Sequence, residues 1–258
     1  TAIKPRMNTI GKKERFTFFE ENPEFYEEGF SYRAINNQVN FLHKIFSRNK
    51  CKKILDIACG HSPQGRLLAK KDYNISGIDL SESLLKLGRK RAEEEKVNVK
   101  FYKKDMSNFN LGKFDGAYIL FSSILHLYKK EDLFSHFQSV NRNLRKGGLY
   151  IIDLSSLPFD SPFKPKEIKH SKGKLKTILN YSPKDSSNLI ASFKQKSIFN
   201  KKVVNQEEFN VLMFIPLPLL FSLTESNGFE IEELYSDFEF NKILNKKSPE
   251  YIAVLRKR

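Results

Sequence analysis

Between Lys52 and Asp153 short β-type runs alternate with amphipathic helices, and few folds accommodate that pattern. The runs are KKILDI, NISGID, VNVKFY, FDGAYIL and GLYIID, and the helix candidates between them are Pro63–Lys71, Ser81–Glu95 and Glu131–Arg145. Strand alternating with helix builds a parallel sheet covered on both faces. Right-handed crossovers then make it doubly wound. Ser62 and Pro63 stand where a helix N-cap and first helical position belong, and Gly147-Gly148 stops the third helix.

The flanks read differently. Residues 1–15 form a loose basic arm, and Glu24–Ser47 is expected to be helical, with Ile35, Val39, Leu42 and Phe46 at helix-like intervals. After Asp153 the alternation fails. Leu157–Lys176, rich in Pro, Lys and Ser, reads as a loop. Three strands follow, around Lys176–Tyr181, Leu189–Ile198 and Glu208–Phe214, separated by the turn signals SPKDSSN and NKKVVNQ. A helix over Pro216–Asn227 ends at Gly228, and strands near Phe229–Phe238 and Tyr251–Leu255 complete the chain. The expected organisation is one unit over residues 1–258: an arm and helical cap (1–50), a core (51–157), an antiparallel insertion (158–215) and a core completion (216–258).

Composition narrows the classes. A chain of 258 residues with 40% apolar content can bury a sizeable core. Two cysteines, Cys51 and Cys59, make no disulfide framework and have no metal-ligand company, which points to a reducing compartment and no metal site. No apolar run approaches the roughly 20 residues that span a bilayer, and no secretory signal opens the sequence, so the expectation is a cytoplasmic protein without a membrane partner. The net charge of +15 raises nucleic acid as a partner, with basic residues dense at Lys44–Lys53, Lys164–Lys176 and Lys194–Lys202. Asn and Ile are also plentiful, a bias that looks like whole-genome composition rather than a binding surface.

The first strand-to-helix turn, DIACGHSPQG, is where an open parallel sheet cradles a ligand. Gly60 there can take a positive φ and lets backbone amides approach a ligand. At the end of the next strand, about 20 residues on, Asp79 in GIDLS has the spacing of a carboxylate that takes a ribose diol. Asp105 in KKDMSNF follows the third strand. Loop, spacing and strand context are in register with one adenosyl ligand. A pyrophosphate needs a bare, close helix N-terminus, which G-H-S-P does not offer.

These motifs resemble those of the class I methyltransferases that depend on S-adenosylmethionine. ILDIACGHSPQG is similar to the family's first motif, GIDLS to its ribose-binding acidic motif, and KKDMSNF to the segment that meets the adenine. FDGAYILFSSILHL and LRKGGLYIIDL resemble the fourth and fifth strand motifs, and TESNGFEIEELYSDFEF with EYIAVLRKR resembles the closing helix and antiparallel strand pair. The resemblance implies an α/β, doubly wound, Rossmann-like fold: a seven-stranded mostly parallel sheet with an antiparallel last strand, an N-terminal helical cap and a small antiparallel β lid. It implies that Asp56, Ala58 and Gly60 surround the methionine part and Asp79 takes the ribose hydroxyls. Asp105 and Met106 then flank the adenine, Leu80 forms its wall, and Phe121 closes over the cofactor. The second loop glycine of the family is Ser62 here.

Transfer of an activated methyl requires chiefly an in-line nucleophile held away from water, with a base where the acceptor carries a proton. His126, beyond the fourth strand, is the candidate base. His61 in the loop is expected to point to solvent, and His43, His136 and His170 to be surface residues. YILFSSIL lacks the Asp/Asn-Pro-Pro-aromatic pattern with which related enzymes grip nucleic-acid base amines, which favours a small-molecule acceptor on nitrogen or oxygen. FYEEGFSYRAI resembles the aromatic helix that covers the cofactor in small-molecule methyltransferases, with Tyr32, or else Tyr26, reaching the methionine carboxylate. The basic insertion suggests an anionic acceptor. The rival readings are an RNA methyltransferase and a non-catalytic S-adenosylmethionine-binding partner subunit.

Overall fold

A computed structural model describes residues 34–154, 165–172, 174–241 and 250–258, together with positions 23, 24 and 27. The first described helix, α1 (Ile35–Arg48), buries Val39, Phe41, Leu42, Ile45 and Phe46 along one stripe. The alternation then runs β1 (Lys53–Ile57), α2 (Pro63–Ala69), β2 (Asn74–Asp79), α3 (Glu82–Glu94), β3 (Val99–Lys103) and β4 (Phe114–Ile119). A 3-10 turn at Ser123–His126, helix α4 (Lys130–Asn143) and β5 (Leu144–Asp153) complete the central part.

Each β-type run of the sequence is a strand. Together with β10 (Phe229–Tyr235) and β11 (Ile252–Lys257) they form one sheet in the order β10-β11-β5-β4-β1-β2-β3. All pairs from β3 to β5 are parallel, and β11 runs antiparallel to both β5 and β10. This is the expected seven-stranded architecture. Its strand order reverses between β1 and β4, which opens a crevice at their carboxyl ends.

The period of two along each strand sends side chains into two cores. Leu55, Ile57, Ala117, Ile119, Tyr150 and Ile152 join one cluster with Phe137 of α4 and Leu220 of α5 (Leu217–Ser226). Ile54, Tyr118, Leu149 and Ile151 join the other with Phe41, Leu42 and Ile45 of α1 and Leu68 of α2. A sheet clothed on both faces needs continuous apolar runs, which is why β1, β4 and β5 read as they do. Cys51 and Cys59 are buried free thiols. Among the described residues, no helix is long and apolar enough to cross a membrane.

The insertion is a four-stranded antiparallel sheet, β6 (Lys166–Lys172), β7 (Leu175–Asp185), β8 (Ile190–Phe199) and β9 (Lys202–Leu212). Two readings of the sequence are corrected here. The segment taken as a loop to Lys176 contains β6, whose KEIKHSK has no apolar period because ladder pairing with β7 along Lys166–Lys172 organises it. The turn signals SPKDSSN and NKKVVNQ shrink to tight turns, since β7 continues to Asp185 and β9 starts at Lys202 directly after the positive-φ pair Asn200 and Lys201. Cross-strand pairing rather than side-chain burial decides these boundaries.

Candidate functional site

Backbone of unusual conformation gathers at the crevice. After β1, Ala58, Gly60 and Ser62 have φ of 55°, 55° and 51°, and after β4, Phe121 and Ser122 have φ of 56° and 54°. A left-handed conformation at four non-glycine residues persists only where surrounding contacts over-determine it. Those contacts are visible. Asp153, fully buried at the end of β5, accepts the Phe121 N–H on Oδ2 at 2.9 Å, and its carbonyl accepts the Ser122 N–H at 3.1 Å. The Ser62 N–H donates to the Cys59 carbonyl at 2.7 Å, and Arg66 donates to the His61 carbonyl.

Between these two bent loops lies a cleft of about 400 Å³ including its open mouth, lined by Asp56, Ala58, Cys59 and His61 on one side and by Leu120, Phe121 and Ser123 on the other. Asp56 forms its floor. It is 4% exposed and accepts the Ser62 hydroxyl on Oδ2 at 2.6 Å. Burial pushes the Asp56 carboxyl up to about 7, against the Ser62 hydrogen bond and the nearby Tyr118 hydroxyl that favour its ionised form; the charge of Asp79 adds to the rise. The Tyr118 hydroxyl is itself buried and makes no bond of good geometry.

Asp79, at the end of β2, accepts the Gly60 N–H on Oδ2 at 2.7 Å and the Ser81 N–H on Oδ1 at 2.9 Å. It therefore fixes both the glycine loop and the start of α3. Leu80 beside it is 53% exposed. Asp105, after β3, holds its own loop through Oδ1, which accepts the N–H and the hydroxyl of Ser107 at 2.8 and 2.7 Å. Met106 is half-buried, and its carbonyl meets Nδ1 of His136 at 2.7 Å.

Asp56 and Asp79 at the ends of β1 and β2, with Ala58, Gly60, Leu80, Asp105, Met106 and Phe121 on the loops that follow β1 to β4, thus all lie at the carboxyl edge of the sheet. His126 closes the 3-10 turn beyond Phe121 and lies with its ring 5.1 Å from that of Phe209 in β9. Tyr32 and Tyr26 lie outside the described residues.

Four expectations about side chains are corrected. Ser62 precedes α2 but does not cap it: its left-handed backbone turns the hydroxyl away from the helix to Asp56. His61 is 7% exposed rather than solvent-facing, with Nε2 at 3.5 Å from Glu27, which also pairs with Arg91 of α3 at 2.7 Å. His136 is fully buried, bridging Met106 and the Tyr150 hydroxyl, and burial lowers it to about 4. His43 is half-buried against the Tyr73 hydroxyl at 3.0 Å.

The sequence reading missed Asp153, Ser62 in its role beneath the loop, and Gly65. A Cβ at Gly65 would stand 2.1 Å from the Ser62 oxygen and 3.3 Å from Asp56 Oδ2, so only glycine leaves room for that hydrogen bond. The signal was present in DIACGHSPQG, where the last glycine falls in α2, a place where glycine weakens a helix.

The donor set discriminates among ligands. Carboxylates at the ends of β1 and β2 and just after β3 disfavour a pyrophosphate, and Pro63 at the start of α2 has no N–H for one. They suit a ligand with a cationic amino acid part and a ribose diol, and the exposed Leu80 suits a planar ring. S-adenosylmethionine fits these residues.

Residues 54–148 match a family described as a methyltransferase domain. A protein of Geobacillus sp. (strain WCH70) named as a methyltransferase is 29% identical over 126 residues, 48% of this chain and 51% of its own length. The dTDP-3-amino-3,4,6-trideoxy-alpha-D-glucopyranose N,N-dimethyltransferase of Streptomyces venezuelae is 30% identical over 105 residues, 40% of this chain and 43% of its own. The chain thus spans about half or less of the length of these curated relatives. Over nearly the whole chain, the fold is similar to that of an S-adenosylmethionine-dependent methyltransferase from Clostridium acetobutylicum ATCC 824, with TM-score 0.78, 16% identity, and 93% and 98% of the two chains covered. Residues 54–148 thus carry a methyltransferase domain, and the strand order and crevice around it are those of a fold similar to that of S-adenosylmethionine-dependent methyltransferases.

Proposed function

We propose that the protein transfers a methyl group from S-adenosylmethionine to a nitrogen or oxygen of a small molecule held between the crevice and the antiparallel lid. The observation that carries this reading is the cleft at the strand-order reversal, with Asp56 at its floor, Asp79 at the end of β2 and Asp105 just after β3. When bound, the cofactor supplies a methyl on cationic sulfur, so the acceptor lone pair forms the new bond, the carbon–sulfur electrons return to sulfur and the acceptor proton departs.

The chain's residues do the rest. Asp56 offers a carboxyl that a neighbouring ammonium would ionise. Asp79 takes the ribose diol, and Leu80 and Met106 bracket the adenine. Phe121, held by Asp153, closes the methionine side. The lid covers the 3-10 turn through Phe209 and Phe193, whose rings are 5.3 Å apart, which excludes water from the reacting centre. His126, under that lid, takes the acceptor proton in this reading.

The dTDP-amino-sugar relative supports an acceptor of sugar type. Titration calorimetry with S-adenosylmethionine and S-adenosylhomocysteine tests the reading. Binding of both, lost in Asp79→Ala, supports it, and absence of binding to the wild-type protein sinks it.

A further inference from the structure

Helix α4 carries three buried polar residues on one stripe, His136, Ser139 and Asn143, spaced at i, i+3 and i+7. A stripe that faces a core is ordinarily apolar, and buried polar groups persist there when they have bonds to make. All three bond the segment that connects β3 to β4. Asn143 accepts the Leu111 N–H at 2.6 Å and donates to the Phe109 carbonyl at 3.1 Å. Ser139 accepts the Phe109 N–H and donates to the Ser107 carbonyl, each at 3.4 Å, and His136 meets the Met106 carbonyl at 2.7 Å. The segment starts at the carboxyl edge of the sheet, so His136 is the member of the stripe nearest the crevice.

A carbonyl only accepts, so the His136 proton sits on Nδ1, and Nε2 accepts from the Tyr150 hydroxyl of β5 at 2.6 Å. Burial keeps the imidazole neutral, which leaves it one donor, held at Met106 from the far side by Tyr150. The bond reaches further than Met106. The peptide between Met106 and Ser107 gives its carbonyl to His136 and its N–H to Asp105 Oδ1 at 2.8 Å, and the Ser107 hydroxyl donates to the same oxygen at 2.7 Å. One planar unit thus joins the buried imidazole to the Asp105 carboxylate. With Oδ1 committed twice, Oδ2 is the Asp105 oxygen that has no partner among the described residues.

We infer that His136 is a positioning residue for the cofactor's purine: through the Met106–Ser107 peptide it fixes the Asp105 carboxylate, and so sets the preference for an exocyclic amine over an exocyclic carbonyl on the ring. A carboxylate oxygen only accepts, so it pairs with an amine and repels a carbonyl. That distinction requires a fixed oxygen, because a loose carboxylate turns away from the carbonyl and lets water take its place. Tyr150 acts one step further back, by keeping the imidazole proton on Nδ1. The inference rests on the methyl-transfer reading and adds what selects the base of its cofactor.

Titration calorimetry on the whole chain compares S-adenosylhomocysteine with S-inosylhomocysteine, whose purine carries the carbonyl in place of the amine. The wild-type protein should prefer the adenosyl ligand roughly tenfold or more, and His136→Leu should lose most of that preference. His136→Asn, whose side-chain amide donates from nearly the place of Nδ1, should keep it, whereas His136→Gln, which reaches toward Tyr150 instead, should not. Val140→Ala, in the apolar core of the same helix, controls for lost stability: its unfolding midpoint should fall and its ligand preference stay. Imidazole nitrogen NMR should show the proton of His136 on Nδ1. No preference in the wild-type protein, equal preference in His136→Asn and His136→Gln, a loss in Val140→Ala as large as in His136→Leu, or a proton on Nε2 would overturn the inference. Failure of the wild-type protein to bind either ligand would instead overturn the methyl-transfer reading.

Discussion

The Ser62 hydroxyl donates to Oδ2 of Asp56 at 2.6 Å, and this bond ties the tip of the first loop to its buried floor. It exists because Ser62 is left-handed and because Gly65 leaves the space. Gly65→Ala should force the two apart, costing about 1–3 kcal/mol of stability despite alanine's better helix propensity. Ser62→Ala should cost about 1 kcal/mol at neutral pH. Urea unfolding measures both, and a neutral Gly65→Ala would refute the packing argument.

Asp56 makes stability fall as pH rises. Its carboxyl is raised from the ordinary value near 4 to about 7, so between those pH values the folded chain holds a proton that the unfolded chain has released. The stabilising effect is complete below pH 4 and gone above 7. Asp56→Asn removes this slope, so its stability relative to wild type should improve between pH 4.5 and pH 8 by more than about 1 kcal/mol. Denaturant midpoints at the two pH values check this. A cationic ligand that ionises Asp56 should correspondingly bind more tightly at pH 8 than at pH 6 and release protons, read by calorimetry in buffers of different ionisation enthalpy.

His136 has the opposite slope. Its imidazole is lowered to about 4 by burial, so between pH 4 and 6.5 the unfolded chain binds the extra proton, and this contribution is lost as pH falls through that window. His136→Leu would strand the Tyr150 hydroxyl and the Met106 carbonyl, costing about 2–4 kcal/mol at pH 7.5. The penalty should be smaller at pH 5. Because Met106 sits beside the proposed adenine site, cofactor affinity should fall as well, which a purely structural defect at a distance would not cause.

Asp79→Asn keeps an acceptor for Gly60 or Ser81 but loses the negative charge. Affinity for S-adenosylhomocysteine should drop roughly tenfold, and in Asp79→Ala further, because the loop then loses its 2.7 Å tether. Equal affinity in Asp79→Ala and wild type would remove Asp79 from the site.

His126→Phe keeps a ring against Phe209 and loses the proton acceptor. Turnover with the acceptor should fall about a hundredfold, with cofactor affinity unchanged. Retained turnover would leave His126 a packing residue.

The alternating runs from KKILDI to GLYIID sufficed to give the order and type of the core elements, because a strand buried on both faces must be continuously apolar and a crossover helix amphipathic. Asp79 was legible for a similar reason: its position at a strand end follows from local pattern. KEIKHSK was not, since an edge strand in a partly exposed sheet is specified by its neighbour's backbone rather than by its own side chains. Nor were the surroundings of His61 and His136. One meets Glu27 and the other Tyr150, and contacts between distant segments leave no trace in local periodicity.

By itself, then, the sequence determined the doubly wound sheet, the loop after β1 and the strand-end acids, all features fixed within a few residues by propensity and period. Tertiary structure alone decided how those acids behave. Burial raises Asp56, a glycine in the next helix admits the bond from Ser62, and the pairing register of the lid puts Lys194 and Lys196 on the face opposite Gln195, Ser197 and Glu207. A one-residue change in that register would exchange the two faces.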